Sequence, residues 1–218
     1  TFTDEDLERE CAVAKKYNVA SVCVKRYATR KAAELLKGTD VEIGCVIGFP
    51  HGNSSIEVKA YETEKAIEDG ATEIDMVVNI GKVLGEDWEY VEEELATLVG
   101  ITKKNQAVLK VIFENDFLPD DKYKIKLCEL ASKLKIDYVK TSSGFGFVKG
   151  PDGKYAYEGA TGHDLKLMRK HSDPGIKVKA AGGVRTLDGL LKVQELGCSR
   201  CGATATVTIL EEAKKRFR

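Results

Sequence analysis

Apolar residues along this chain keep two alternating rhythms. Short β-branched runs recur as "VASVCV" (19–24), "EIGCVIGF" (42–49), "EIDMVV" (73–78), "VLKVIFE" (108–114), "DYVKT" (137–141), "IKVKAAG" (176–182) and "RCGATA" (200–205). Between them, "IEVKAYETEKAIEDGA" (56–71), "EYVEEELATLVGITKKN" (89–105) and "DDKYKIKLCELASKLK" (120–135) return an apolar side chain every three or four positions. The first rhythm predicts strands and the second amphipathic helices. Strand then helix, repeated, predicts a parallel sheet, because parallel neighbours need a crossover where antiparallel ones need only a tight turn. The strand runs are almost continuously apolar, as expected when both faces of a sheet are covered. No Pro/Gly/Ser-rich linker interrupts the series, so residues 1–218 read as a single domain.

Seven strands are visible, which bears on whether the sheet closes. The chain opens on "TFTDEDLEREC", where Thr3 followed by Asp6 is a helix N-cap signature. A closed barrel would take its first strand from residues upstream of Thr1, or use a substitute. The expectation is a (β/α)8 TIM barrel with the first strand missing from the N-terminus of this chain.

Composition narrows the class of partner. With 43% hydrophobic residues in 218, the chain can bury a substantial core. The balance of 34 basic and 35 acidic residues, a formal net charge of -1, argues against a dedicated nucleic-acid or anionic-membrane surface and leaves a small molecule as the expected partner. No run reaches the ~18 apolar residues of a membrane span, and no signal or transit pattern stands at the N-terminus; the reading is an intracellular, cytoplasmic protein. Cys11, Cys23, Cys45 and Cys128 sit in apolar runs like small hydrophobes of a reduced protein. "CSRC" (198–201) has suggestive spacing, but a zinc site needs a second ligand pair and a thioredoxin-like motif belongs after a strand, whereas this pair enters one.

Charged residues inside the strand runs carry the chemistry. Asp75 lies in "EIDMVV", Lys110 in "VLKVIFE", and Lys140 and Lys179 near the ends of "DYVK" and "IKVK". For any one of them, an outward or salt-bridged strand position competes with a functional one. Three lysines and an aspartate in four consecutive strands favour convergence, because active sites of such barrels gather at the C-terminal strand ends. Two ammonium groups sharing a low-dielectric cavity favour neutral amine on one of them, and a neutral lysine attacks carbonyls to form a Schiff base. That chemistry serves aldol addition, retro-aldol cleavage or decarboxylation. Asp75 could pair with the second lysine and relay protons through water.

Glycines mark a second part of the site. "AAGGVRT" (180–186) places two glycines at a strand end before a helical run, and "CGATAT" (201–206) repeats the arrangement with Thr204 as a hydroxyl donor. Backbone N–H groups and helix N-termini can converge there on an anion, as phosphate sites in the late loops of such barrels do.

Together, "DYVKTSSGFG", "VKAAGGVRT", "EIDMVVNIG", "LKVIFEN", "GFPHG" and "CGATATVTIL" resemble the deoxyribose-phosphate aldolases, with matches in order from about Val19 onward. The resemblance implies a (β/α)8 barrel and reversible cleavage of 2-deoxy-D-ribose 5-phosphate to acetaldehyde and D-glyceraldehyde 3-phosphate, without metal or cofactor. It assigns the Schiff base to Lys140, the lowering of that lysine's pKa to Lys179, and acid/base work to Asp75. Gly144, Gly182, Gly183, Gly202 and Arg185 match residues near the phosphate, and Thr204 stands where the family often has serine. Lys110 and Cys23 complete the substrate-side set, with core packing as the competing reading of Cys23.

The chain departs from the family pattern in places. Phe145 replaces a lysine found in some relatives, and "GFVKGPDGKYAYEGAT" (146–161) is longer than the usual connection, which reads as a surface insertion with a lid as the alternative. No C-terminal tyrosine follows "EEAKKRFR", a solvated helix end, and His51 in "GFPHG" reads as a turn residue rather than an acid or base. A different lysine aldolase on the same barrel, or a non-catalytic phosphosugar-binding barrel, stays open on the residues alone. So does assembly as a homodimer or higher homo-oligomer.

Overall fold

The computed structural model describes residues 2–217. Thr1, from which the upstream-strand expectation is counted, and Arg218, the last residue of the charged tail, lie outside the described residues. Helix α1 (Asp4–Tyr17) starts on a capping box: the Thr3 hydroxyl accepts from the Asp6 N–H at 3.1 Å while the Asp6 carboxylate accepts from the Thr3 N–H at 2.9 Å. Three acidic residues in its first turn and two lysines in its last complement the helix dipole.

Strands and helices then alternate. The first half runs β1 (Ser21–Val24), α2 (Thr29–Leu35), β2 (Glu42–Ile47), α3 (Ile56–Glu68), β3 (Glu73–Val77), α4 (Ile80–Leu84), α5 (Trp88–Lys104) and β4 (Val108–Ile112). The second half runs α6 (Asp121–Leu134), β5 (Tyr138–Lys140), β6 (Val148–Lys149), β7 (Tyr155–Ala156), α7 (Gly162–His171), β8 (Lys177–Ala181), α8 (Leu187–Glu195), β9 (Arg200–Gly202) and α9 (Thr206–Arg216). Each of the seven apolar runs contains a strand of one parallel sheet, ordered β1-β2-β3-β4-β5-β8-β9. The long segment at 146–161, read as a surface insertion, contributes a separate, exposed antiparallel hairpin, β6 with β7.

The sheet is strongly curled. Neighbouring strands lie ~4.8 Å apart, so β3 and β8, three spacings distant, would be separated by ~14 Å in a flat sheet, beyond the reach of facing side chains. Asp75 on β3 nevertheless lies 2.7 Å from the Lys179 amine on β8. The edge strands approach as well: Arg200 on β9 reaches the Ser21 hydroxyl on β1 at 3.3 Å, although no backbone ladder joins those strands among the described residues. This is a TIM-type α/β barrel of seven parallel strands with an open seam between β1 and β9.

Alternation along each strand separates two environments. Ile74, Met76, Leu109, Val111, Val139, Val178 and Ala180 point outward into the main core beneath the helices, each at most 1% exposed. Full burial of such side chains contributes about 1.5–3 kcal/mol apiece. A second cluster, built on Leu7, Cys11, Ala32, Leu36 and Ile43, seats α1 and α2 on the β1–β2 side. Residues of the opposite parity face the barrel axis, and the buried charges Glu73, Asp75, Lys110, Lys140 and Lys179 are among them. No helix among the described residues is long and apolar enough to cross a membrane.

Candidate active site

The inward positions converge because the strands are staggered. Asp75 stands in register with Lys110, whereas Lys140 is in register with Ile112 and with Lys179. Strand tilt in a barrel lifts successive strands along the axis, so residues that are offset in the ladder meet at one level inside. The Asp75 carboxylate receives Lys110 on Oδ1 at 2.8 Å and both Lys140 and Lys179 on Oδ2, at 2.8 and 2.7 Å. The sequence pointed to Asp75 pairing with one lysine; it pairs with three.

Burial makes these contacts consequential. Asp75 and Lys110 are fully buried, and Lys140 and Lys179 are 5% and 4% exposed. For Lys140, desolvation is the largest influence and Lys179 adds to it, so the amine is held below the ordinary lysine range despite the pull of Asp75. Lys179 moves the other way: burial works against its charge, but attraction to Asp75 outweighs it and the pKa rises. Burial alone would raise the Asp75 carboxyl, yet three lysines keep it well below the usual carboxylate range. Two chemically identical side chains are thereby pushed in opposite directions by their surroundings.

Below this cluster sits a second carboxylate. Glu73 accepts from Lys110 at 2.8 Å and from Arg200 at 3.1 Å. Lys110 is therefore held between two carboxylates and fully buried. Cys23, of opposite parity to Val22 and Val24, faces the same interior from β1 and is exposed to solvent.

The glycine loops lie around the mouth. Gly144, Gly182 and Gly183 have φ of 87°, 90° and 82°, left-handed backbone that side chains disfavour. Gly182 has a second reason to lack a side chain, because a Cβ there would come within 2.9 Å of Gly159 Cα. The N–H groups of Gly144, Gly182, Gly183 and Thr204 donate to no protein acceptor among the described residues. Helix α9 begins directly after them without a side-chain cap on Ala205, leaving its first-turn amides open. Gly202 lies against the Lys179 stem, where a Cβ would stand 3.7 Å from Lys179 Cε. Thr204 and Arg185 are exposed.

Several residues escaped sequence reading. Ser142 is 1% exposed and its hydroxyl has no partner, with its Cβ 3.7 Å from where a Gly182 Cβ would be. Such an orphan is uncommon in a folded protein. Glu73 and Arg200 flank known candidates but carry no motif of their own. His51 follows the cis Phe49–Pro50 peptide bond at the turn after β2 and is exposed. Cys198 and Cys201 are free thiols, buried and half-buried at the entry to β9. Elsewhere Asp121, His163 and Asp164 bring ligand-type atoms within 4.8 Å of one another, but the Lys124 ammonium already lies 3.2 Å from Asp121 and 2.7 Å from Asp164, where a cation would sit.

Comparison with known proteins places this geometry in a family. A protein from Rhodopirellula baltica named deoxyribose-phosphate aldolase is 46% identical over 217 residues, covering all of this chain and 86% of the relative. One of the same name from Thermococcus kodakarensis is 42% identical, covering 97% of this chain and 90% of the relative. The tetrameric deoxyribose phosphate aldolase structure from Aeropyrum pernix superposes with a TM-score of 0.85 at 30% identity, over 98% of this chain and 86% of that one. The family model described as DeoC/LacD family aldolase matches residues 1–204, and with a match of that extent this chain belongs to the DeoC/LacD aldolase family.

Proposed function

We propose that this protein is a class I aldolase that reversibly cleaves 2-deoxy-D-ribose 5-phosphate to acetaldehyde and D-glyceraldehyde 3-phosphate. The observation that carries this reading is the asymmetric lysine pair: Lys140 lowered by burial and Lys179 raised by Asp75, both on the same carboxylate oxygen. The neutral Lys140 amine attacks the substrate aldehyde carbon, and loss of water from the carbinolamine leaves a cationic imine. Removal of the proton from the hydroxyl on the third carbon lets the bond between the second and third carbons break. Its electrons flow into the imine, giving an enamine on the two-carbon fragment and releasing the three-carbon phosphate aldehyde. Protonation of the enamine and hydrolysis of the imine then free acetaldehyde and regenerate Lys140.

The charges apportion the proton work. Asp75 stays ionised across the neutral range, so it accepts and passes protons, while the Lys179 ammonium is the proton reservoir beside it. Lys110 and Glu73 balance the charge beneath, and Cys23 lines the interior. The phosphate is held by the free N–H groups of Gly144, Gly182, Gly183 and Thr204 and by the open N-terminus of α9, with Gly202 leaving room and Arg185 supplying charge at the rim.

Reduction with borohydride in the presence of acetaldehyde tests the reading directly. A stable two-carbon adduct on the peptide containing Lys140 is expected, with none in Lys140→Ala. An adduct confined to Lys179 would reverse the two roles, and no adduct in folded protein would refute the class I mechanism.

A further inference from the structure

The turn after β4 contains a carboxylate that the lysine chemistry does not use. Glu114 is 1% exposed and adopts a left-handed backbone, φ 57° and ψ 61°, a costly conformation for a residue with a side chain. Its carboxylate accepts from the Ser143 N–H at 3.1 Å and from the Ser143 hydroxyl, and the Ser143 oxygen accepts in turn from the Phe145 N–H at 2.9 Å. Gly146 packs directly on it, since a Cβ there would stand 2.8 Å from Glu114 Cδ. Ser143 is three residues after Lys140 and one before Gly144, so Glu114 sets the path by which the chain leaves the reactive lysine.

Two residues further on, Asp116 holds the other end of the same loop. Its carboxylate accepts from the Glu158 N–H at 2.5 Å and from the Gly159 N–H at 3.2 Å. Gly159 backs onto Gly182, and the Tyr157 ring comes within 3.3 Å of where a Gly182 Cβ would lie. Between these two anchors stands the β6–β7 hairpin; beside it Phe145 meets Phe49, after β2, edge-on with ring centres 5.5 Å apart, and within the loop Phe147 meets Tyr157 at 4.9 Å. The loop is thus pinned at both ends to one turn and braced against the glycine pair.

We propose that Glu114, with Asp116 as its counterpart, is a positioning residue for the phosphate end of the substrate. It fixes the Ser143–Gly144 backbone so that the free Gly144 N–H and the Gly182–Gly183 loop face a common point. The proposal rests on the aldolase reading above, and it makes the 143–159 loop a fixed part of the binding site. The strain at Glu114 is sustained because burial and two donated hydrogen bonds leave the carboxylate no better place.

The test compares 2-deoxyribose 5-phosphate with unphosphorylated 2-deoxyribose, alongside acetaldehyde trapping on Lys140. Glu114→Ala is expected to raise KM for the phosphorylated substrate by at least about tenfold, the factor a hydrogen bond to a charged group typically contributes. Turnover of 2-deoxyribose and acetaldehyde trapping should stay at wild-type levels. Glu114→Gln keeps an acceptor for the Ser143 N–H and should restore most of the affinity. If Glu114→Ala does not fold, Ser143→Ala, which removes the hydroxyl arm and the acceptor of the Phe145 N–H but keeps the Ser143 N–H bond to Glu114, should give a smaller rise with the same selectivity. Equal losses on both sugars, or a Gln variant as poor as the Ala variant, would overturn the proposal; absence of an imine in the wild-type protein would overturn the aldolase reading and this proposal with it.

Discussion

Asp75 has three lysine neighbours, and that arrangement sets the sign of any charge change made beside it. Take Lys179→Leu. The substitution removes a like charge that lowers the Lys140 pKa and frees the shared Asp75 oxygen, which raises it, so both effects push Lys140 upward. Less neutral amine is then present at any given pH, and the alkaline-going limb of the rate profile should move to higher pH. A displacement of about one pH unit would cut the neutral-pH rate about tenfold. Superimposable profiles for the variant and the parent would contradict the like-charge argument. At this scale the sequence was informative wherever a charge broke an apolar run, as at Asp75, Lys110, Lys140 and Lys179, because burial of an ion is conspicuous in a strand. It was silent at Glu114, whose left-handed backbone leaves no mark on residue type, and at Ser142, whose orphaned hydroxyl exists only once its neighbours are in place.

A buried ion pair fastens the elements around β3. The Lys59 ammonium on α3 binds the Glu94 carboxylate on α5 and the Val77 carbonyl, the latter at 2.7 Å, and both side chains are fully buried. Glu94 also accepts from the Asn79 N–H at 3.0 Å, so two helices grip the strand end that carries Asp75. Removing one partner strands an uncompensated charge. Glu94→Leu should therefore cost about 3–5 kcal/mol, whereas the double variant Lys59→Met/Glu94→Leu should recover much of it, as read by urea unfolding of the full cycle. Additive losses would show that the two residues act independently. Helical spacing held this information: Val91, Glu94, Leu95 and Leu98 occupy one face of α5, although a run of three glutamates reads first as a solvated stripe. Element existence was legible for the same reason, with apolar period marking all seven sheet strands. The β6–β7 hairpin was not, because its two-residue strands are exposed and have no buried face to impose a pattern.

Whole-molecule shape depends on what no single period encodes. Parallel order follows from alternating strands and helices, but the curl that brings β3 against β8 comes from twist and stagger accumulated over every pair. The open seam also makes protection uneven. β3 is buried along its whole length, whereas β1 and β9 are only partly covered and, among the described residues, each has a single strand neighbour. Amide hydrogens in β1 and β9 should exchange well before those in β3 and β4, and uniform protection around the ring would mean that the seam does not behave as an edge. Arg200 on β9 spans that seam, reaching Ser21 on β1 and Glu73 on β3, both across the gap, while standing in register with Lys179. An unbroken ring resists widening through every member at once; a split ring opens like a clasp, and its stiffness resides in whatever ties the two ends. The guanidinium of Arg200 is such a tie, so the joint that closes the circle stands one strand away from the lysine pair.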